Sequence, residues 1–247
     1  MNEVRNPFLT AEWRHLVMLN YPVDPSILES FVPAGTVLDT YKGQAYVSLV
    51  AFQFLRTRLL GVPVPIHQDF EEVNLRFYVR RFAQGDWRRG VVFIKELVPR
   101  AAVALIARWV YKENYVALPM RHRLETGANG VLTRLEYEWE HQGRWQGLRA
   151  SLASELFIPA SASLEEFITE HYWGYTRQPD ESCIEYQVEH PRWRVWRATS
   201  ATLEGDVAPL YGDSFAAALR VPPASAFIAE GSNVTVHHGK PLVPENL

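Results

Sequence analysis

Cysteine is almost missing from this chain: Cys183 is the only one in 247 residues. A single thiol excludes an internal disulfide framework and any cysteine-rich zinc site, and Cys183 reads as buried and inert. Lysine is scarce too. Of the 25 lysines and arginines, only Lys42, Lys95, Lys112 and Lys240 are lysine. Long apolar runs are absent, the longest being Ala101–Ala107, far below the ~18 residues of a bilayer helix. Met1 to Arg14 has no apolar leader core, so a cytoplasmic location is expected and no membrane partner. The net charge of −3 lacks the basic excess of a nucleic-acid binder. No linker composition divides the chain and no period of 20–50 residues repeats, so residues 1–247 are read as one domain.

The common catalytic signatures are missing as well. There is no Gly-rich phosphate loop, no Gly-x-Ser-x-Gly elbow and no histidine set at zinc spacing. Neither a metal nor a cofactor is therefore expected. His237 and His238 are adjacent, which on a strand sends them to opposite faces. The triplet Asn233-Val234-Thr235 matches the glycosylation pattern, and without a leader it is read as chance.

What is present is an apolar content of 47% with 13% aromatics, enough for a folded core. The ruling pattern is two-residue alternation. Trp13, His15, Val17, Leu19 and Tyr21 alternate with Arg14, Leu16, Met18 and Asn20. Ala45–Phe54 is apolar on both faces, as in a strand buried on two sides. Glu71–Arg81 is the clearest strand: Val73, Leu75, Phe77 and Val79 take one face, Glu72, Asn74, Arg76, Tyr78 and Arg80 the other. Residues 83–86 turn the chain and Gly90–Val98 returns as a hairpin partner. Val131–Glu140 and Trp145–Ile158 form a second pair around Gln142-Gly143. Ser182–His190 and Trp193–Thr199 are read as a third, broken at Pro191, and Asn233–His238 as a last strand. Helices are expected at Arg100–Tyr111, Ser163–Tyr172 and Asp213–Leu219. The second opens with Ser163 and Glu166 in capping-box positions. The fold class is thus a β-rich α+β protein, and a closed barrel would remove its sheet edges.

Several residues can carry chemistry. Glu72, Asn74, Arg76 and Tyr78 share one strand face. That face is either solvated, or it lines a lumen in which Arg76 grips a substrate carboxylate and a desolvated Glu72 moves protons. His190, on an apolar face before Pro191 and Trp193, is either a satisfied core residue or a proton relay. Arg121 and His122, after Pro119, are either part of a polar edge strand or anion anchors. Lys95, in an apolar strand, either faces outward in an ion pair or is a lowered-pKa Schiff-base lysine. Trp193 belongs to a dense aromatic set with Tyr172, Trp173, Tyr175 and Trp196, read as core that also lines a pocket.

Leu38–Ser48, Phe70–Val79, Gly90–Phe93, Ser163–Phe167 and, most specifically, Asn74-x-Arg76-x-Tyr78-Val79 and His190-Pro191-x-Trp193 resemble the YqjF-like bacterial family. That family belongs to the acetoacetate decarboxylase-like superfamily. The resemblance runs from near residue 8 to Ala229–Ser232. It implies a closed, cone-shaped β-barrel with a few outer helices and a lumenal pocket. Decarboxylases of that superfamily use a glutamate, matched here by Glu72, and a Pro-Lys-Lys pair that forms an imine. The pair corresponds to Met120 and Arg121, and methionine forms no imine. The reading is therefore a pocket for a small carboxylated or carbonyl compound without Schiff-base chemistry. Glu72 and His190 are the candidate catalytic residues for lyase or enolisation chemistry. Asn74, Arg76, Tyr78, Arg121, His122 and Trp193 are the candidate binding residues. The alternative is a non-catalytic small-molecule binder or sensor. Oligomeric state is left open.

Overall fold

The computed structural model describes residues 7–63, 68–99, 114–128 and 130–242. The helix expected at Arg100–Tyr111 lies outside these residues. Long strands dominate: β1 (Pro7–Val23), β3 (Ala45–Leu59), β5 (Phe70–Ala83), β6 (Asp86–Val98), β9 (Leu132–His141), β10 (Arg144–Phe157), β13 (Val195–Glu204) and β14 (Ser225–His237). Shorter ones are β2 (Val37–Leu38), β4 (Val62–Pro63), β7 (Tyr115–Ala117), β8 (Met120–Thr126), β11 (Trp173–Arg177), β12 (Cys183–Glu189) and β15 (Lys240–Pro241). Among the described residues three short α-helices accompany them: α1 (Leu164–Thr169), α2 (Ala208–Tyr211) and α3 (Asp213–Leu219).

Hydrogen bonding links the strands in the order β12-β11-β6-β5-β3-β1-β14, and a β12–β14 pairing returns the order to its start, a circuit of seven strands. From β14 a second leaf continues through β13, β10 and β9 to the edge strand β8. β12 and β13 do not form the expected hairpin. Both pair with β14 instead, Val188 opposite Val236 and Val195 opposite Ala229. Pro191 between them has no N–H for a ladder, so the chain leaves one half of β14 and rejoins it at the other.

Both faces of the circuit are buried, and alternation explains why. Val17, Leu19, Leu49, Val73, Leu75 and Phe77 pack on one face against Tyr137, Trp139 and Leu148 of the second leaf and Leu210 and Phe215 of the helices. Leu16, Met18, Val50, Phe52, Phe54 and Tyr78 occupy the other face, with Phe167 and Ile168 of α1. The alternation in β1 is not continuous. His15 has φ 57° and the register against β3 slips by one between Arg14 and Val17. This bulge moves Trp13 to the face of Leu16 and Met18, not that of Val17. Gly231 makes it possible. Its φ is +80° and a Cβ there would lie 1.9 Å from the Trp13 carbonyl oxygen. A second slip, between Leu75 and Arg76 of β5 against β6, turns Glu96 and Phe93 to the same face as Asn74 and Arg76, and leaves Lys95 on the opposite one.

α1 begins as its sequence requires: Ser163 Oγ accepts from the Glu166 N–H at 3.1 Å. The returning Glu166 carboxylate accepts from the Ala162 N–H instead of that of Ser163. The helix stops at Thr169, short of the expected Tyr172, and β11 starts four residues later. No helix among the described residues is long and apolar enough to cross a membrane.

Candidate functional site

The face shared by Trp13, Phe52 and Arg76 encloses a cavity of about 100 Å³, the room of several water molecules. Its walls are mostly aromatic: Trp13, Phe52, Phe54, Phe93, Trp173 and Trp193. The polar groups come from three places. β5 supplies Glu72, Asn74 and Arg76, β6 supplies Glu96, and the segment after α1 supplies His171, with His190 beside it.

The polar face of β5 is therefore buried, as one of its two readings required. Glu72, Asn74 and Arg76 are 3%, 2% and 8% exposed. Asn74 Nδ2 donates to Glu72 Oε1 at 2.9 Å, which leaves Asn74 Oδ1 without a partner among the described residues. Opposite Asn74 stands Glu96, whose Oε1 accepts from the Tyr115 hydroxyl at 2.9 Å. Arg76 is the outlier. Its Nη2 reaches the Ile168 carbonyl at 3.5 Å and its guanidinium lies 5.8 Å from the Tyr78 ring centre. No described carboxylate pairs with it, and its Nε is buried without a partner.

His171 stands in the same wall, sandwiched by Tyr78 and Phe167 at 4.6 and 5.4 Å between ring centres. Its Nε2 lies 3.5 Å from Asp39 Oδ2, an oxygen that also accepts from Arg89 Nε at 2.7 Å. Burial pushes the imidazole down to about 4 against the pull of Asp39, so it is neutral near pH 7. Burial alone would raise the Asp39 carboxyl, but His171 and Arg89 outweigh it and hold Asp39 below the usual carboxylate range. His190 stacks on Trp193 at 4.2 Å, and Nδ1 donates to the Pro191 carbonyl at 2.9 Å. Burial lowers its pKa as well. The indole Nε1 of Trp193 donates to Ser232 Oγ at 2.9 Å.

Other sequence candidates lie elsewhere. Tyr78 shares the face but not the lining; its hydroxyl is bonded to Ser48 Oγ at 2.5 Å. Arg121 and His122 are on the edge strand β8, away from the cavity. Arg121 Nε donates to Glu138 at 2.6 Å and its guanidinium covers the Trp145 ring. His122 joins a chain of contacts on the opposite face, Nδ1 to Glu71 at 2.5 Å and Nε2 to Gln53 at 2.8 Å. Edge position and local carboxylates thus account for both residues. Met120 is beside them, so the position matched to the imine lysine is not in the cavity wall. Lys95 points to the other face and donates to the Leu210 carbonyl. Burial lowers its pKa, yet the amine is not among the groups that line the cavity. Lys112 lies outside the described residues. Cys183 is buried, its thiol pushed up to about 12 by burial. The described residues contain no cluster of three or more metal-ligating side chains.

Sequence reasoning missed Glu96 and His171. Glu96 was visible as a carboxylate in an apolar strand, but strict alternation in β6 gives no warning of the bulge that turns it inward. His171 follows a helix end, where no periodicity reports a direction.

A sheet-rich chain with few helices among the described residues matches the acetoacetate decarboxylase-like fold. Solved structures share it across nearly the whole chain at low identity. The enduracididine biosynthesis enzyme MppR complexed with pyruvate matches with a TM-score of 0.65 and 16% identity, over 98% of this chain and 93% of that one. An acetoacetate decarboxylase from Legionella pneumophila matches with 0.65 and 12%, over 97% and 88%. Within that fold the chain belongs to the DUF2071 family, described as an uncharacterized conserved protein, whose model matches residues 10–233. The uncharacterized protein YqjF of Bacillus subtilis (strain 168) is 26% identical over 203 residues, 81% of this chain and 80% of that protein.

Proposed function

We propose that this protein takes a small organic carboxylate into the cavity and performs acid–base chemistry on it. The observation that carries the reading is Arg76: a permanent charge, 8% exposed, with no ion-pair partner among the described residues. A buried unpaired charge costs several kcal/mol, and an arginine fork matches a carboxylate in shape and charge. MppR is a fold neighbour described with pyruvate, itself a small carboxylate. In this reading the seven-strand circuit is a closed, cone-shaped barrel and the cavity its lumen. The aromatic walls hold an apolar body while Arg76 holds the carboxylate. Glu72, desolvated and bonded to Asn74, moves a proton at the carbon beside the ligand's carbonyl or hydroxyl, the step shared by enolisation and dehydration. His190 is the second proton carrier. No lysine of the described residues lines the cavity, so imine chemistry has no support there.

Calorimetric titration with small carboxylates tests the binding half. Wild type is expected to bind and Arg76→Met to lose at least tenfold in affinity. Equal affinity in the two proteins would end the reading. Deuterium exchange at the ligand's C–H tests the catalytic half: Glu72→Gln should bind about as well and exchange no label. If wild type exchanges none either, the protein is a binder or sensor.

A further inference from the structure

The cavity's vacant hydrogen-bonding groups are of two kinds. Arg76 Nε and the Trp13 indole Nε1 are donors, and the guanidinium suits a carboxylate. Asn74 Oδ1 is an acceptor, and it is buried without a partner among the described residues. His171 adds a second acceptor. Its Nε2 is the nitrogen beside Asp39, 3.5 Å away, and an ionised carboxylate at that distance keeps the imidazole proton on that side. The other nitrogen, Nδ1, then carries a lone pair. Both ring nitrogens are buried without a hydrogen-bond partner among the described residues, the 3.5 Å approach of Nε2 to Asp39 being a charge contact, in a residue 93% of whose surface is covered and which lines the cavity. Tyr78 and Phe167 fix the ring's plane, so it cannot turn to offer a donor without losing Asp39.

Resting on the carboxylate reading of Arg76, we infer that the cavity selects carboxylic acids that also carry a hydrogen-bond donor, a 2-hydroxy acid in the first place, over the corresponding 2-oxo acids. His171 Nδ1 would take the hydroxyl's one proton. A ketone oxygen in its place would meet that lone pair and leave the buried acceptor unsatisfied, which is the arrangement a site rejects most strongly. Asp39 is the positioning residue: it touches no ligand and acts by setting the tautomer. Arg89 in turn holds Asp39 ionised through the 2.7 Å contact. The aromatic walls leave the remainder of the ligand apolar.

The test uses three probes that differ at one position: 2-hydroxy-4-methylpentanoate, 2-oxo-4-methylpentanoate and 4-methylpentanoate. Wild type should bind the hydroxy acid at least about tenfold tighter than either of the others, the worth of one well-made hydrogen bond. His171→Phe keeps a planar ring between Tyr78 and Phe167 and should remove most of that gap while leaving 4-methylpentanoate unaffected. Nitrogen-15 NMR of labelled histidine in the intact wild-type protein gives a measurement that needs no variant. It should show Nε2 protonated and Nδ1 bare, with Nδ1 shifting on addition of the hydroxy acid and not of 4-methylpentanoate. A hydroxy acid that binds no better than its analogues, a gap that survives in His171→Phe, or a proton found on Nδ1 would each overturn the inference. Those results leave the carboxylate reading standing, provided Arg76→Met weakens all three probes alike. If none of the three binds wild type, or Arg76→Met binds them undiminished, the carboxylate reading falls and the selectivity falls with it.

Discussion

Arg76 makes an unusual demand on the ligand-free protein, and replacing it should expose the conflict. Its side chain is nearly enclosed, its Nε is unsatisfied and no described carboxylate pairs with it. Replacing a whole buried ion pair by apolar residues is often neutral or stabilising by roughly 1–4 kcal/mol, and a charge with no ion-pair partner has no pairing to lose. Methionine fills a similar length of stem and can pack against the Tyr78 ring, which the guanidinium now overlies at 5.8 Å. A gain of about 2 kcal/mol is therefore expected for ligand-free Arg76→Met. For a chain of this size that raises the melting temperature by roughly 4–8 °C. With ligand the gap should close. A carboxylate at 100 times its wild-type dissociation constant stabilises wild type by about 2.7 kcal/mol and a variant weakened tenfold by only about 1.4 kcal/mol, so the order inverts only where the loss of affinity approaches a hundredfold. Differential scanning calorimetry of both proteins, with and without 2-hydroxy-4-methylpentanoate, reads all four states. A ligand-free variant that melts below wild type refutes the reasoning. It would mean that Glu72 on the same strand and Glu96 on the neighbouring one already neutralise the guanidinium and that no anion is needed.

Three further outcomes follow from the same geometry. Gly231→Ala should cost more than about 2 kcal/mol in urea unfolding, because the left-handed conformation disfavours a side chain and the new Cβ strikes the Trp13 carbonyl; a neutral result would show that the β1 bulge relaxes freely. His171 titrates near 4 when folded against an ordinary 6.5, so the unfolded chain binds the extra proton between those values. Its contribution is full above about pH 6.5 and declines as pH falls toward 4, by up to ~1.4 kcal/mol per unit and ~3 kcal/mol in all. His171→Phe should flatten that part of the stability profile, and a profile identical to wild type would contradict the neutral buried imidazole. Borohydride added with 2-oxo-4-methylpentanoate should leave Lys95 unmodified by peptide mass mapping, since its amine is bonded to the Leu210 carbonyl on the face away from the cavity.

Local pattern carried the reading a long way. The period-two run Glu71–Arg81 predicted a strand with Glu72, Asn74 and Arg76 on one face, and that strand is β5 with those three residues in the cavity wall. Ser163 marked a helix start because its hydroxyl satisfies the free N–H of Glu166, three residues on, a matter of neighbours only. The chain by itself also determined which residue types were on hand: one thiol, few lysines, many arginines and aromatics. It did not determine what faces what. Whether the polar face of β5 meets water or a buried cavity depends on pairings such as that of β14 with β12, residues some fifty positions apart in the chain. Trp13 reaches the cavity because a bulge at His15 shifts the phase of β1, and the glycine that permits it is on another strand. Glu96 turns inward by a register slip against β5. His171 becomes a cavity residue only because Asp39 and Arg89, from two distant segments, meet behind it. Alternation along a strand is set by the backbone and can be read from a single segment. Register, closure and the burial of charge are set by pairings between segments, and only the tertiary structure decides them.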